Sequence, residues 1–354
     1  MKIAMVGQFP PHVGGVGVHI HSLSKKLVEE GHEVYVITYP HKDLKDIDGI
    51  HVIGTKGLNL PGIRGLSFKR SAKKQLDNLC KKENIDIIHG HYLYPAGAVA
   101  TEIGKKHGIN TYITAHGSDM FELYKNQSFM RNPIKKTLKD ADKVFAVSNA
   151  LNDEILATGV TGIADKTSIY WNSVDVNKFK EPISKDYKDK PTVMFVGNVI
   201  KRKNVSLILD AKKECKTDFE LVIVGDGPLL NDLKRKVKDE NIEDVVFTGA
   251  KRDVENIIPT ADLLILPSFS ESFGLVLIEA LACGVPVIGS NVGGIKEIIT
   301  PDVGLLIDPE NPSSLSKAID DVLSNEKLYN KFKSNARKRA LDFSEVKIPY
   351  EELQ

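Results

Sequence analysis

The chain has 354 residues, of which 42% are hydrophobic, 27% charged and 7% aromatic, a balance that predicts about two globular domains and excludes disordered, collagen-like and coiled-coil chains. The net charge of +1 excludes a polyelectrolyte that binds nucleic acid through bulk charge. No apolar run approaches the roughly 18 residues of a spanning helix, and the opening segment breaks at Gln8-Phe9-Pro10-Pro11, too early for a secretory leader.

Strand and helix patterns then alternate. Residues 2–7 (KIAMVG) predict a buried strand, and 19–30 a helix with Ile20, Leu23, Leu27 and Val28 on one face and Gly31 as its stop. Further strands are expected at 33–39, 50–54, 86–90, 110–115, 143–148 and 168–171, with helices at 66–83, 96–107, 128–140 and 149–158. The first 176 residues carry 22 Lys and Arg against 18 Asp and Glu, and the excess gathers between Arg64 and Lys82, where seven basic residues accompany one acid. Phe68, Ala72, Leu76 and Leu79 fall at helical spacing there, which fits a solvated basic helix or one that touches an anionic membrane. Residues 176–191 are polar, hold two prolines and have no apolar period, so they are read as a linker. Alternation resumes with strands at 192–197, 220–225, 245–248, 262–266, 286–289 and 304–307 and helices at 313–322 and 326–340, and 343–354 as a further short helix. The pattern predicts two doubly wound α/β domains, 1–175 and 192–340, facing across a cleft, with 341–354 packing back on the first.

Three cysteines, Cys80, Cys215 and Cys283, stand far apart with no CxxC pattern, which suits reduced thiols in a cytoplasmic chain rather than a zinc site. Asp46-Ile47-Asp48 spells DxD in a polar loop, and His89, His91 and His116 suggest a metal group only by their number. No metal is expected at either.

Two glycine turns precede helices. Gly14-Gly15 follows the first strand, and backbone amides at such a helix start favour phosphate. The spacing is not GxGxxG. Gly225-Asp226-Gly227-Pro228 follows a second-domain strand and reads better as a structural turn, with Pro228 in the first helical turn. The most informative segment is PSFSESFGLVLIEALACGVPVI at 267–288. It presents Glu271 in a loop, the amides of Phe273, Gly274 and Leu275 at a helix start, and Glu279 among apolar helix residues. A carboxylate in that setting needs strong partners, and ligand hydroxyls would serve.

The pair Glu271 and Glu279 in this segment resembles the signature of the retaining glycosyltransferases of GT-B fold known as family 4. The resemblance extends through GGVGVHIHSLSKKLVEEGHEV at 14–34, TAHGSD at 114–119, WNSVD at 171–175, FVGNVIKRKN at 195–204, FTGAKRD at 247–253 and GSNVGGIKEII at 289–299. It implies that Glu279 binds ribose hydroxyls of a nucleotide sugar and Glu271 the donor sugar. Phe273, Gly274 and Leu275 would give backbone contacts, with Gly14 and Gly15 near the diphosphate. Arg202 and Lys203 would neutralise that diphosphate, Gly249, Ala250 and Lys251 would flank the base, and His116 would stand near the reacting sugar. Asn198 stands where the family often has arginine, and Ser173 where it often has glycine. The implied activity moves a sugar, most simply from a UDP-sugar, to a hydroxyl acceptor such as a lipid-linked glycan. It needs no metal cofactor and no nucleic acid, and takes place in the cytoplasm or at the inner face of the membrane. A non-catalytic nucleotide-sugar-binding subunit and another GT-B enzyme such as an epimerase are the alternatives.

Overall fold

The computed structural model describes residues 1–12, 14–56, 64–182, 189–347 and 350. The chain divides into two compact units, Met1–Asn172 with Val346–Gln354, and Ser173–Glu345.

The first unit holds strands β1 (Lys2–Val6), β2 (Glu33–Thr38), β3 (His51–Gly54), β4 (Ile87–His91), β5 (Asn110–Ala115), β6 (Lys143–Ala146) and β7 (Thr167–Ile169). Its helices are α1 (Gly15–Glu29), α2 (Arg64–Lys82), α3 (Ala98–His107), α4 (Arg131–Asp140) and α5 (Asn149–Leu156). All seven strands are parallel, in the order β3-β2-β1-β4-β5-β6-β7. Ile3, Ala4, Met5 and Val6 are fully buried, as a strand covered on both faces requires. Against them pack Ile20, Leu23 and Leu27 of α1. Tyr350, which is fully buried, joins this core and stacks on Tyr112.

The second unit holds β8 (Thr192–Val196), β9 (Glu220–Val224), β10 (Val245–Gly249), β11 (Leu263–Leu266), β12 (Val287–Ser290) and β13 (Gly304–Ile307), in the parallel order β10-β9-β8-β11-β12-β13. Helices α6 (Val205–Glu214), α7 (Leu230–Asp239), α8 (Val254–Ile257), α9 (Leu275–Ala282), α10 (Ile295–Ile298), α11 (Pro312–Leu323) and α12 (Glu326–Leu341) cover it. Arg337 of α12 donates to the carbonyls of Ala282 and Val176, at 2.6 and 3.0 Å, so one guanidinium satisfies the end of α9 and ties down the chain that enters the unit.

Four expectations are corrected. The first helix starts at Gly15 rather than residue 19, because Gly14, at φ 149°, takes the special backbone angle at its start and leaves the next residues free to coil. The helix expected at 96–107 is preceded by a π-helical turn at Leu93–Gly97, where Pro95 lacks the N–H a regular ladder needs. Pro228 lies in a turn ahead of α7 rather than inside it. Residues 343–347 are not helical; of the remainder of that expected helix, 348–349 and 351–354 lie outside the described residues, as does 183–188 of the expected linker.

Candidate active site

In each sheet the strand order reverses beside the first strand: between β1 and β4 in the first unit, and between β8 and β11 in the second. Loops leaving the carboxyl ends of such neighbours diverge and open a crevice. Gly14 and Gly15 follow β1, Asn198, Arg202 and Lys203 follow β8, and Glu271, Phe273, Gly274, Leu275 and Glu279 follow β11, whereas His116 follows β5 and Gly249, Ala250 and Lys251 end or follow the edge strand β10.

In the second unit, β8 leads through Asn198, which is exposed, into a short 3-10 turn that carries Arg202 and Lys203. The loop after β11 carries Glu271, which is 7% exposed. Lys203 Nζ donates to Glu271 Oε2, while Arg202 donates to the Ser270 carbonyl at 3.1 Å and reaches Glu271 Oε1 at 3.5 Å. Burial by itself would raise the Glu271 carboxyl, but Lys203 and then Arg202 outweigh it and hold the group below the ordinary carboxylate value. One anion thus pins two cations that the sequence placed 68 and 69 positions away.

The Glu271 loop rests on the loop after β12. The Gly294 amide donates to the Glu271 carbonyl at 3.0 Å, and a Cβ on Gly293 would stand 1.9 Å from that same oxygen. Gly293 also has φ 47°. Gly293→Ala is therefore expected to cost about 2–4 kcal/mol and to displace Glu271. Denaturant unfolding checks this, and an unchanged midpoint would contradict it.

Gly274, at φ 104°, turns the chain into α9 with no side-chain cap. The first amides of that helix have no intrahelical acceptor and face its amino end. Phe273 contributes backbone only, since its ring is buried against Phe343. Glu279 is half-buried one turn further on and has no hydrogen-bond partner among the described residues. Burial pushes its carboxyl up to about 7, with Lys178 pulling weakly the other way. Gly249, Ala250 and Lys251 close β10 at the sheet edge, where the Gly249 carbonyl accepts from Gly225 at 3.0 Å. Gly225 in turn packs so closely on Gly197 that a Cβ would meet its oxygen at 1.9 Å, which gives the glycine turn a packing role.

In the first unit, Gly14 caps α1 without a side-chain hydrogen bond, and Gly15 is exposed as its first residue. His116 follows β5, 8% exposed, and His91 ends β4 beside it. The loop is held by Asp119, a fully buried carboxylate that accepts from the amides of Leu93 and Gly117 at 2.8 and 2.9 Å. Sequence reasoning missed Asp119 and also His19, which α1 brings against His116 with ring centroids 5.0 Å apart. The TAHGSD run carried Asp119 in plain view; nothing local marked His19. The DxD carboxylates have separate partners: Asp46 accepts from the Val52 amide at 2.8 Å, and Asp48 lies 2.9 Å from His21 Nε2. Ser173 takes no positive φ, so the turn forms without the glycine.

Two doubly wound sheets, with cations, carboxylates and open helix starts gathered at the carboxyl ends of their strands, define an α/β enzyme of the nucleotide-binding type. The family model for glycosyltransferase family 4 matches residues 13–178, and that for glycosyl transferases group 1 matches 176–339. The chain is 31% identical to N-acetyl-alpha-D-glucosaminyl L-malate synthase of Bacillus anthracis, over 92% of this chain and 89% of that one. It is 29% identical to an uncharacterised glycosyltransferase of Methanocaldococcus jannaschii, over 100% and 99%. Among solved structures, Anabaena HepE in complex with UDP and glucose superposes with a TM-score of 0.84 at 20% identity, covering 98% of this chain and 96% of that one. The chain belongs to the family 4 glycosyltransferases; it is a glycosyltransferase enzyme of GT-B fold.

Proposed function

We propose that the protein moves a sugar from a nucleotide-diphosphate sugar, UDP-linked as in the nucleotide of the HepE complex, to a hydroxyl acceptor with retention at the anomeric carbon. The observation that carries this reading is Glu279: a half-buried carboxylate on a helix of apolar residues, without a hydrogen-bond partner among the described residues. Ribose hydroxyls would donate to it and remove the cost of its isolation. Glu271 would serve the donor sugar. The amides of Phe273, Gly274 and Leu275, with Arg202 and Lys203, would take the diphosphate, and Gly249, Ala250 and Lys251 would border the base. Within the first unit, Gly14 and Gly15 would offer a helix start that favours anions, and His116 a group for the acceptor side.

In the reaction the bond between C1 of the sugar and the phosphate oxygen breaks, and its electron pair leaves with the diphosphate. The acceptor oxygen bonds to C1 on the same face and gives its proton to a leaving phosphate oxygen. Negative charge grows on the diphosphate in the transition state, where a guanidinium and an ammonium already in place stabilise it without reorganisation. This division of labour calls for no metal at the phosphates. UDP or a UDP-sugar is expected to raise the melting temperature of the full chain, and Glu279→Ala to remove the rise. No shift with any nucleotide sugar would defeat the proposal.

The helix α2 bears on the acceptor. Phe68, Ala72, Leu76 and Leu79 are buried, and Lys69 and Lys73 both bond Glu102, at 2.6 and 2.9 Å. Arg70, Lys74 and Leu66 are exposed and line a groove of about 660 Å³ with Lys56, while Lys82 is exposed at the end of the helix. No helix among the described residues is long and apolar enough to cross a membrane. The proposal is peripheral contact with an anionic cytoplasmic leaflet, which would suit a lipid-linked glycan acceptor. Vesicle flotation is expected to fall about a hundredfold when Lys56, Arg70 and Lys74 are changed to glutamine. Neutralising Lys69 and Lys73 is expected to matter less, and absence of flotation at low salt would end the idea.

A further inference from the structure

Four histidines of the first unit stand in one group. His89 and His91 lie on β4, His116 follows β5 and His19 lies on α1. His89 is fully engaged: Nδ1 is 2.6 Å from the Tyr350 hydroxyl, and Nε2 is 2.8 Å from Thr114 Oγ1. The other three differ. One ring nitrogen from each of His19, His91 and His116 lies within 4.8 Å of the other two. The Nε2 atoms of His19 and of His91 are buried and have no hydrogen-bond partner among the described residues. His91 Nε2 is not the nitrogen that faces His116, so of the two orphans the one that counts toward this trio is His19 Nε2, and an orphaned buried nitrogen is costly enough to mark a place for a guest.

We propose that His19, His91 and His116 form a binding site for a divalent transition metal ion of the zinc type. His91 Nδ1 and His116 Nε2 are 3.3 Å apart, and two zinc–nitrogen bonds of about 2.0–2.1 Å across that gap enclose about 107°, the tetrahedral value. The His19 nitrogen completes three ligands by a side-chain adjustment, since it starts within 4.8 Å. Imidazole selects zinc, copper, nickel or iron over magnesium and calcium. Three histidines leave one position for water or an oxygen ligand. His19 and His116 retain 9% and 8% exposure, which gives the ion an entry from the strand ends. The trio is not the one that counting suggested: His19 takes the place of His89, whose nitrogens are already bonded. An ion on His116 would exclude substrate from that ring, so metal binding here and the acceptor-side role proposed for His116 are mutually exclusive.

The test is titration of the metal-free full chain with cobalt(II), followed by visible absorption, with zinc as competitor. The expected result is one cobalt per chain with the intense bands of a four-coordinate ion, displaced by zinc. Affinity is expected to fall by about tenfold or more in His19→Gln and in His91→Gln. His41→Gln serves as control, because His12 and His41 form a separate surface pair with centroids 5.3 Å apart; it is expected to change nothing. His91 is fully buried, so if its variant does not fold, His19→Gln decides. Only the pale spectrum of a six-coordinate ion, binding that survives His19→Gln, or binding lost in His41→Gln would overturn the site.

Discussion

Glu271→Ala is expected to lower turnover by about a hundredfold or more and stability by about 3 kcal/mol. The two losses have different causes, and a double mutant separates them. Lys203 and Arg202 keep only 14% and 25% side-chain exposure, and Glu271 keeps 9%. Removing the carboxylate leaves two partly buried cations facing each other without a counter-charge. Removing Lys203 alone leaves a buried carboxylate with one weaker partner. Glu271→Ala with Lys203→Met removes both members, so it is expected to recover most of the stability that either single change loses. On the proposed function activity is not expected to return, because the diphosphate would lack the ammonium of Lys203 and the donor sugar the carboxylate of Glu271. Denaturant unfolding of the four proteins, with turnover measured on the donor that stabilises the wild type, checks both halves. Stability losses that simply add would show that the pair does not act as a unit.

The second large effect is a pH dependence set by Glu279. A carboxyl held at about 7 in the folded chain, against an ordinary 4.5, keeps its proton in the native state after the unfolded chain has lost it. The native state then binds more protons between those values, and stability falls as pH rises through that window, by up to about 3 kcal/mol from this one group. Glu279→Gln mimics the protonated form. Its stability is expected to equal that of the wild type near the bottom of the window and to exceed it above the top. Ribose hydroxyls that donate to the carboxylate favour its ionised form, so donor binding is expected to release a proton below neutrality and to tighten as pH rises toward about 7. The glutamine variant is expected to lose both the affinity and its pH dependence. Calorimetry in two buffers of different ionisation enthalpy reads the proton directly. Parallel stability curves for wild type and variant would remove Glu279 from this role.

Much of this was legible in the chain. Apolar runs such as 3–6 and 263–266 mark strands covered on both faces, because only such strands can be apolar at every position. The segment around Glu271 and Glu279 announced itself because two carboxylates beside an apolar helix are too costly to be incidental. Helix starts were less legible. The helix starts straight after Gly14, where Gly14, Gly15 and Gly17 each offered a glycine, and composition cannot say which one takes the special backbone angle. Tyr350 gave no periodic signal, because its burial depends on a core that the far end of the chain builds.

Local pattern therefore determined the α/β class and the order of the elements, and it singled out the residues proposed to hold a nucleotide sugar, since each depends on neighbours within a few positions along the chain. Tertiary structure alone decided that Glu271 restrains Lys203 and Arg202, that Lys69 and Lys73 answer to Glu102, and that His19 rather than His89 completes a histidine trio. These are distances between loops that leave different strands, and the strand order that brings such loops together is settled by packing the whole sheet, not by any stretch of sequence.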